Sequence, residues 1–554
     1  MALVSLAVER LGTLKECGVG AEMHVNWLRR LCGGVAMVAL AAAVGHARVT
    51  KADPVSLDPK SMVHVATVDE RYQSYNVEMA EVVGGTFWKP YARLGKASGL
   101  DEPANGEPTL HIGKDATLFE ARPPVDLSNP RLRKLAAALG PAYVRVSGTW
   151  ANSVFFQDTD APAPAAPPKG FESVLTRGEW KGVVDFAHAV NAKIVTSFAI
   201  SAGVRDASGM WTADQARRFL AYTESVGGHI AAAEFFNEPS YAAMGGAPPG
   251  YDAARYARDF SAFRQFARVA APDMLIVGPG SVGEGITLMP GALLKTEDLL
   301  GASPRPVFDI FSYHSYAAAS ERCAALGKGV VGTTAAAALS DAWLARPDQI
   351  NRFYEDLRDR FEPNKLVWIT ETADAACGGN PWAATFLDTF RYLDQLGRLA
   401  QRGVQVVFHN TLASSDYGLI NQDTLTPRPN YWAALLWRRL MGPVVLDPGP
   451  SRPGLHLYAQ CLGGHPGGVA LLAINTNRSE AESLELKMPG DRYALTAEKL
   501  EDARVRLNGH DLTLAANDEL PAIEGEPIPA GRIRLAPTSI TFLAVADAGN
   551  KHCQ

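Results

Sequence analysis

Residues 231–239 read AAAEFFNEP. A short apolar run ends in an Asn-Glu-Pro turn, the pattern of a buried strand that lifts a carboxylate, Glu238, off its end. Pro239 fixes how the chain leaves the strand and is expected to hold Glu238 in an extended conformation. Residues 366–372, LVWITET, share the design, with Glu371 closing a run of β-branched and aromatic residues. Alone, Asn-Glu-Pro is weak, since chance supplies it in roughly one chain of this size in fifteen. Its weight comes from the strand before it, the second glutamate and the rhythm around both.

Strand-like runs lie near residues 76, 142, 193, 231, 274, 307, 366 and 404, each followed by helical sequence or a long loop. Helical spacing covers 131–139, 178–190, 212–226 (with Thr212 as N-cap), 251–270, 348–361, 381–401 and 431–440. Eight such units predict an α/β fold, a TIM (β/α)8 barrel over residues 71–443. Glu238 then ends strand four and Glu371 ends strand seven. Glu78, Asn237, His314, Tyr316, His409 and Asn410 also fall just after strands, on the rim where barrel sites are built. Residues 158–169 are rich in Pro and Ala and read as a surface loop. Beyond residue 444 helical spacing stops. Short strands at 469–474, 504–507, 533–535 and 539–543 predict a C-terminal β-sandwich, residues 444–554. The segment 48–70, with a strand at 62–68, is expected to join it.

The 554 residues are 47% hydrophobic and 20% charged, with a net charge of −6, so nothing argues for a nucleic-acid partner. Arg29 and Arg30 precede the apolar run 31–44, and Gly45-His46-Ala47 is a plausible cleavage site. Residues 1–47 therefore read as an upstream extension, starting at Met1 or Met23, and a signal peptide. The mature chain starts near Arg48 and is secreted or periplasmic, without stable membrane insertion; an uncleaved anchor is the alternative. Cys17 and Cys32 leave with the leader. Cys323, Cys377, Cys461 and Cys553 are too scattered to read as a disulfide framework, although Cys323 and Cys377 can pair if their loops meet. No CxxC or HExxH spacing suggests a metal, and no cofactor is expected.

Two carboxylates flanking a glycosidic bond are the equipment for its hydrolysis, one protonated to donate to the leaving oxygen and one ionised to attack the anomeric carbon. The expected acid/base is Glu238 and the expected nucleophile Glu371, with a carboxyl separation of about 5 Å and retention of configuration. Asn237 offers an amide to a sugar hydroxyl, and His314 and Tyr316 can contact the nucleophile. The blander readings stand beside these. A lone strand-end Glu is more often a loop partner than a catalyst, His314 can be a core histidine, and His409 reads as structural. Trp88, Trp150 and Trp382 can stack on sugars or simply fill loops.

These segments resemble glycoside hydrolase family 79, the heparanase and β-glucuronidase group of clan A. Residues 235–239 and 368–372 look like its acid/base and nucleophile motifs. Residues 141–149, 416–419, 430–432, 507–509 and 537–542 are similar to further family segments. The resemblance implies that Gly378, Gly379 and Tyr417 bind a glucuronate carboxylate and that Glu78 bonds sugar hydroxyls; Asn152 lies in a subsite loop. Cys377 departs from the family pattern. The implied activity is a retaining, heparanase-like β-glucuronidase acting on glucuronic-acid-containing oligo- or polysaccharides, within the chain or from its end. A different clan A glycosidase (arabinofuranosidase or xylosidase) and a non-catalytic carbohydrate-binding barrel are the alternatives.

Overall fold

The computed structural model describes residues 53–94, 117–286, 288, 293–324 and 330–554, so the expected leader, residues 1–47, lies outside the described residues. Residues 54–554 form one compact unit. Its centre is a closed parallel barrel of eight strands: β1 Gln73–Glu78, β2 Ala142–Ser147, β3 Ala192–Ser197, β4 Ile230–Glu234, β5 Leu275–Ser281, β6 Ile310–Tyr316, β7 Val367–Ala373 and β8 Val406–His409. The barrel closes where Val407, Phe408 and His409 of β8 pair with Gln73, Ser74 and Tyr75 of β1.

Side chains alternate along each strand, so every second residue points into the barrel. At the N-terminal end, Tyr143, Val195, Ala232, Val277, Ile310, Trp368, Val406 and Phe408 form an apolar plug. Two residues further along β2 and β4 stand Arg145 and Glu234, both fully buried. The barrel therefore carries an ion-paired layer above an apolar base, and the rim sits on that layer.

All eight expected strands are present. The sixth begins later than expected, at Ile310, because Val307 is partly exposed and precedes the barrel wall. The fifth runs on through Gly278-Pro279-Gly280 to Ser281. Thr212 does not cap its helix, which is Asp214–Ser225. Its hydroxyl is engaged by the Val204 carbonyl (3.1 Å), stitching the preceding loop.

The remaining strands form a sandwich. A nine-stranded sheet runs from His64–Thr67 through Met441–Leu446, Leu455–Leu462, Val469–Asn475 and Ser539–Val545 to Gly490–Thr496 and beyond. A three-stranded sheet joins Val55–Leu57, Glu482–Leu486 and Gly531–Leu535. The run 469–474 explains the architecture. Val469, Leu471 and Ala473 face the small sheet, while Ala470, Leu472 and Ile474 belong to the core that continues into the barrel. A strand buried on both faces reads as an unbroken apolar run. On the barrel side lies the helix Phe386–Gln401, whose Gly397 packs on the ring of Tyr458. The amino-terminal segment thus contributes two strands, one to each sheet. Asn550 fastens it by donating to the carbonyls of Pro59 (2.8 Å) and Met62 (2.9 Å).

The four cysteines of the described chain are all paired, Cys323 with Cys377 and Cys461 with Cys553. The scattered spacing misled because the fold brings distant segments together: Cys323 and Cys377 follow the neighbouring strands β6 and β7. Among the described residues no helix is long and apolar enough to cross a membrane.

Candidate active site

A cavity of about 770 Å³ opens at the C-terminal rim. It is lined by Glu78, Asn237, Glu238, Tyr316, Glu371, Asn410 and Tyr417, with Trp88, Trp150 and Cys377 on its walls. This is the place expected of a barrel ligand site.

Glu238 does not adopt the extended conformation that Pro239 suggested. Its backbone is left-handed, with φ +51° and ψ +63°. Proline disfavours the right-handed helical region for the preceding residue, and that rule holds. The left-handed region is the compact alternative, and the short turn Pro239–Tyr241 follows directly from it. Such a conformation costs on the order of 1–3 kcal/mol and persists only where the surroundings hold it. Asn152 supplies the hold. Its side chain brackets the neighbouring peptide, donating to the Asn237 carbonyl (2.9 Å) and accepting from the Asn237 N–H (2.8 Å). Asn152 itself is fully buried and off the cavity lining.

Glu371 is met by donors on both oxygens. Arg145 Nη1 reaches Oε2 at 3.0 Å, the Tyr316 hydroxyl donates to Oε1, and Asn410 Nδ2 lies 3.4 Å from Oε1. Asn410 also donates to the Tyr316 and Tyr417 hydroxyls, both at 3.1 Å. His314 is no isolated core histidine. Its Nδ1 lies 3.0 Å from Glu238 Oε1 and 3.7 Å from Glu371 Oε2. One carboxylate oxygen of each glutamate and a ring nitrogen of His314 all lie within 4.8 Å of one another.

The electrostatics divide the glutamates. Burial and the Glu371 charge push the Glu238 carboxyl up against the opposing pull of His314. Burial also disfavours the His314 cation, but the carboxylates of Glu371, Glu234 and Glu238 outweigh it and raise the ring to about 9. His314 therefore carries a proton at neutral pH. With Arg145 beside it, the trio is an acid pair bridged by cations. Glu78 is pushed well up by burial and by the Glu371 charge. It sits so close to Gly148 (φ +90°) that a Cβ there would lie 1.5 Å from its Oε2.

Arg145 is the residue that sequence reasoning missed. Its guanidinium, fully buried, pairs with Glu234 (2.8 Å) and Glu371 (3.0 Å) and donates to Asn237 Oδ1 (2.7 Å). Glu234, held low by Arg145 despite its burial, also accepts from Ser312 (3.0 Å) and Thr370 (2.6 Å). The available signal was an arginine in a strand whose alternate residues point into a barrel.

Several of the residues singled out from the sequence lie off the cavity, His409 in keeping with its structural reading. Gly378 and Gly379 do not line the cavity; Cys377 does. Gly378 packs against Trp88 and Ser415, and its carbonyl accepts from Ser415 Oγ (2.9 Å). His409 lies off the lining, bonded to the Tyr417 carbonyl (2.8 Å), and burial drives its ring down to about 3. Trp382 packs edge-on against Trp343, away from the cavity.

A parallel barrel with an acidic pair on its rim and a β-sandwich at its side is the architecture of clan A glycoside hydrolases. Residues 121–397 match the description "Glycosyl hydrolase family 79, N-terminal domain". The chain belongs to that family and is a glycoside hydrolase. It is 27% identical to heparanase-like protein 1 of Arabidopsis thaliana, over 77% of this chain and 86% of that protein. It is 26% identical to Mus musculus heparanase, over 77% and 88% of the two chains. With the hyaluronoglucuronidase of Hirudo nipponia the figures are 24%, 80% and 95%. Among solved structures, a 4-O-α-L-rhamnosyl-β-D-glucuronidase from Fusarium oxysporum superposes with a TM-score of 0.59 at 13% identity, covering 89% of this chain and 100% of that one, a likeness of fold.

Proposed function

We propose that this chain is a secreted, retaining β-glucuronidase that cleaves glucuronide linkages within heparan-type polysaccharides. Glu238 is the acid/base and Glu371 the nucleophile. The observation that carries the reading is the pair itself: oxygens within 4.8 Å, one carboxyl pushed up and the other ringed by donors. Inverting enzymes need about 6.5–9.5 Å between carboxyl groups to seat a water, whereas retaining ones use about 5–5.5 Å. The family relatives named heparanase and hyaluronoglucuronidase point to glucuronic acid as the sugar.

In the first step Glu238 protonates the leaving oxygen while Glu371 attacks the anomeric carbon. Arg145, Tyr316 and Asn410 fix the attacking carboxylate. Esterification removes the Glu371 charge, which with burial holds the Glu238 carboxyl up. Glu238 then falls in pKa and serves as base toward water in the second step. His314 positions Glu238 through Nδ1, and Asn152 positions Asn237 and Glu238 through the backbone. Glu78 and Asn237 bond sugar hydroxyls. The Tyr417 hydroxyl and the N–H group of Cys377 receive the glucuronate carboxylate. Disulfides suit an oxidising compartment, in keeping with export.

The test is to follow product anomer and product size together. Proton NMR of a β-glucuronide digest should show the β-anomer first, and gel filtration of a digested polysaccharide should show mid-size fragments early. The α-anomer first would sink the retaining mechanism. Release of free glucuronic acid alone would make the enzyme exo-acting.

A further inference from the structure

The cavity lining is part polar and part apolar: Glu78, Glu238, Glu371 and Asn410 share it with Tyr241, Met244, Val282 and Leu288. Tyr241 closes the short turn that Glu238 opens and packs in one apolar cluster with Val282, Leu288, Tyr316 and Tyr417, so an apolar wall begins at the acid/base turn. The wall is tied in place: Ser240 Oγ donates to the Val282 carbonyl (3.0 Å) and accepts from the Val282 N–H (2.9 Å).

The acids on the lining are Glu78, Glu238 and Glu371, the first two pushed toward their neutral forms by burial and by the Glu371 charge. No lysine or arginine lines it among the described residues. The nearby cations are committed, His314 among them on Glu234, Glu238 and Glu371. Arg145 is buried on Glu234, Glu371 and Asn237. Arg322 is held by Asp416 (2.7 Å) and the Lys89 carbonyl, and stacks on Tyr91. One sugar carboxylate can be met by backbone N–H groups, but a sulfate on the leaving side would lose its water against apolar rings with no lining cation among the described residues to pair it.

We propose that this site selects unsulfated β-glucuronides, with the leaving group laid by its apolar face on the wall of Tyr241, Met244, Val282 and Leu288. The inference rests on the glucuronidase reading above and narrows it to the unsulfated stretches of a heparan-type chain. Rejection of sulfate here is a matter of unpaired charge, which discriminates more sharply than a missing apolar contact.

The experiment compares three substrates on the purified full-length protein. These are 4-nitrophenyl β-D-glucuronide, an unsulfated glucuronic acid–N-acetylglucosamine octasaccharide, and the same octasaccharide N- and 6-O-sulfated. The expected result is cleavage of the first two, with kcat/KM for the sulfated chain lower by about tenfold or more. Equal or faster cleavage of the sulfated chain overturns the inference while leaving the glucuronidase reading intact. Failure to cleave all three sinks both. Met244→Arg provides a second readout: the sulfated-to-unsulfated ratio should rise several-fold, whatever happens to the absolute rates, and an unchanged ratio counts against the wall.

Discussion

Replacing Arg145 by methionine separates stability from catalysis. The guanidinium is fully buried and holds two carboxylates, Glu234 at 2.8 Å and Glu371 at 3.0 Å. Methionine fills much of its volume but leaves Glu234 as a buried charge supported only by Ser312, Thr370 and His314. Breaking one partner out of a buried pair costs about 3–5 kcal/mol. With a urea m-value of about 3 kcal/mol per M, that is a midpoint shift of about 1–1.7 M. Activity should fall at least ~100-fold, because Glu371 also loses the donor that aims it, and each tenfold is about 1.4 kcal/mol of barrier. The companion variant is Arg145→Met with Glu234→Gln. It removes the orphaned charge yet keeps an acceptor for Ser312 and Thr370, so most of the lost stability should return while activity stays low. Urea unfolding followed by tryptophan fluorescence, and kcat on 4-nitrophenyl β-glucuronide, read the two quantities separately. If the double variant is no more stable than the single, or if it regains activity, the account of Arg145 is wrong.

His314 is charged in the folded protein up to about pH 9, against an unfolded value near 6.5. Its contribution is therefore complete below about pH 6.5 and lost as pH rises through 9, about 3 kcal/mol in all; urea midpoints across that window should decline, and His314→Gln should flatten the decline. Glu238→Gln should slow alkyl β-glucuronides far more than aryl ones with good leaving groups, and should remove the alkaline limb of the pH–rate profile; equal losses on both substrates would deny it the acid role. Gly148→Ala forces a Cβ to within 1.5 Å of Glu78 Oε2 at φ +90°. The expected result is a raised KM and a protein destabilised by about 1–3 kcal/mol; wild-type kinetics would show that Glu78 does not touch substrate.

The barrel was legible because each strand is an apolar run set between helical repeats. Glu238 and Glu371 were legible because charge interrupts those runs where the rim begins. Arg145 was not, because its meaning depends on Glu234, 89 residues away, which only the closed barrel places beside it. Gly378 and Gly379 drew attention as a flexible pair suited to an anion. The disulfide to Cys323 instead turns Cys377 to the lining, and no local pattern announces that pairing. Glu238 defied its proline because Asn152, far upstream, fixes the adjoining peptide.

The strands at the two chain ends set an order of events. Leu57 pairs with Leu486, 429 residues later, and Asn550 clasps the same segment. At about 5–20 residues per second of synthesis, the first strands wait on the order of 20–90 s for their partners. A barrel can close while they wait, so the sandwich is completed only after the last strands are made. A tag or truncation at either terminus acts on one shared clasp, so trimming the last five residues loosens the beginning of the protein as much as its end.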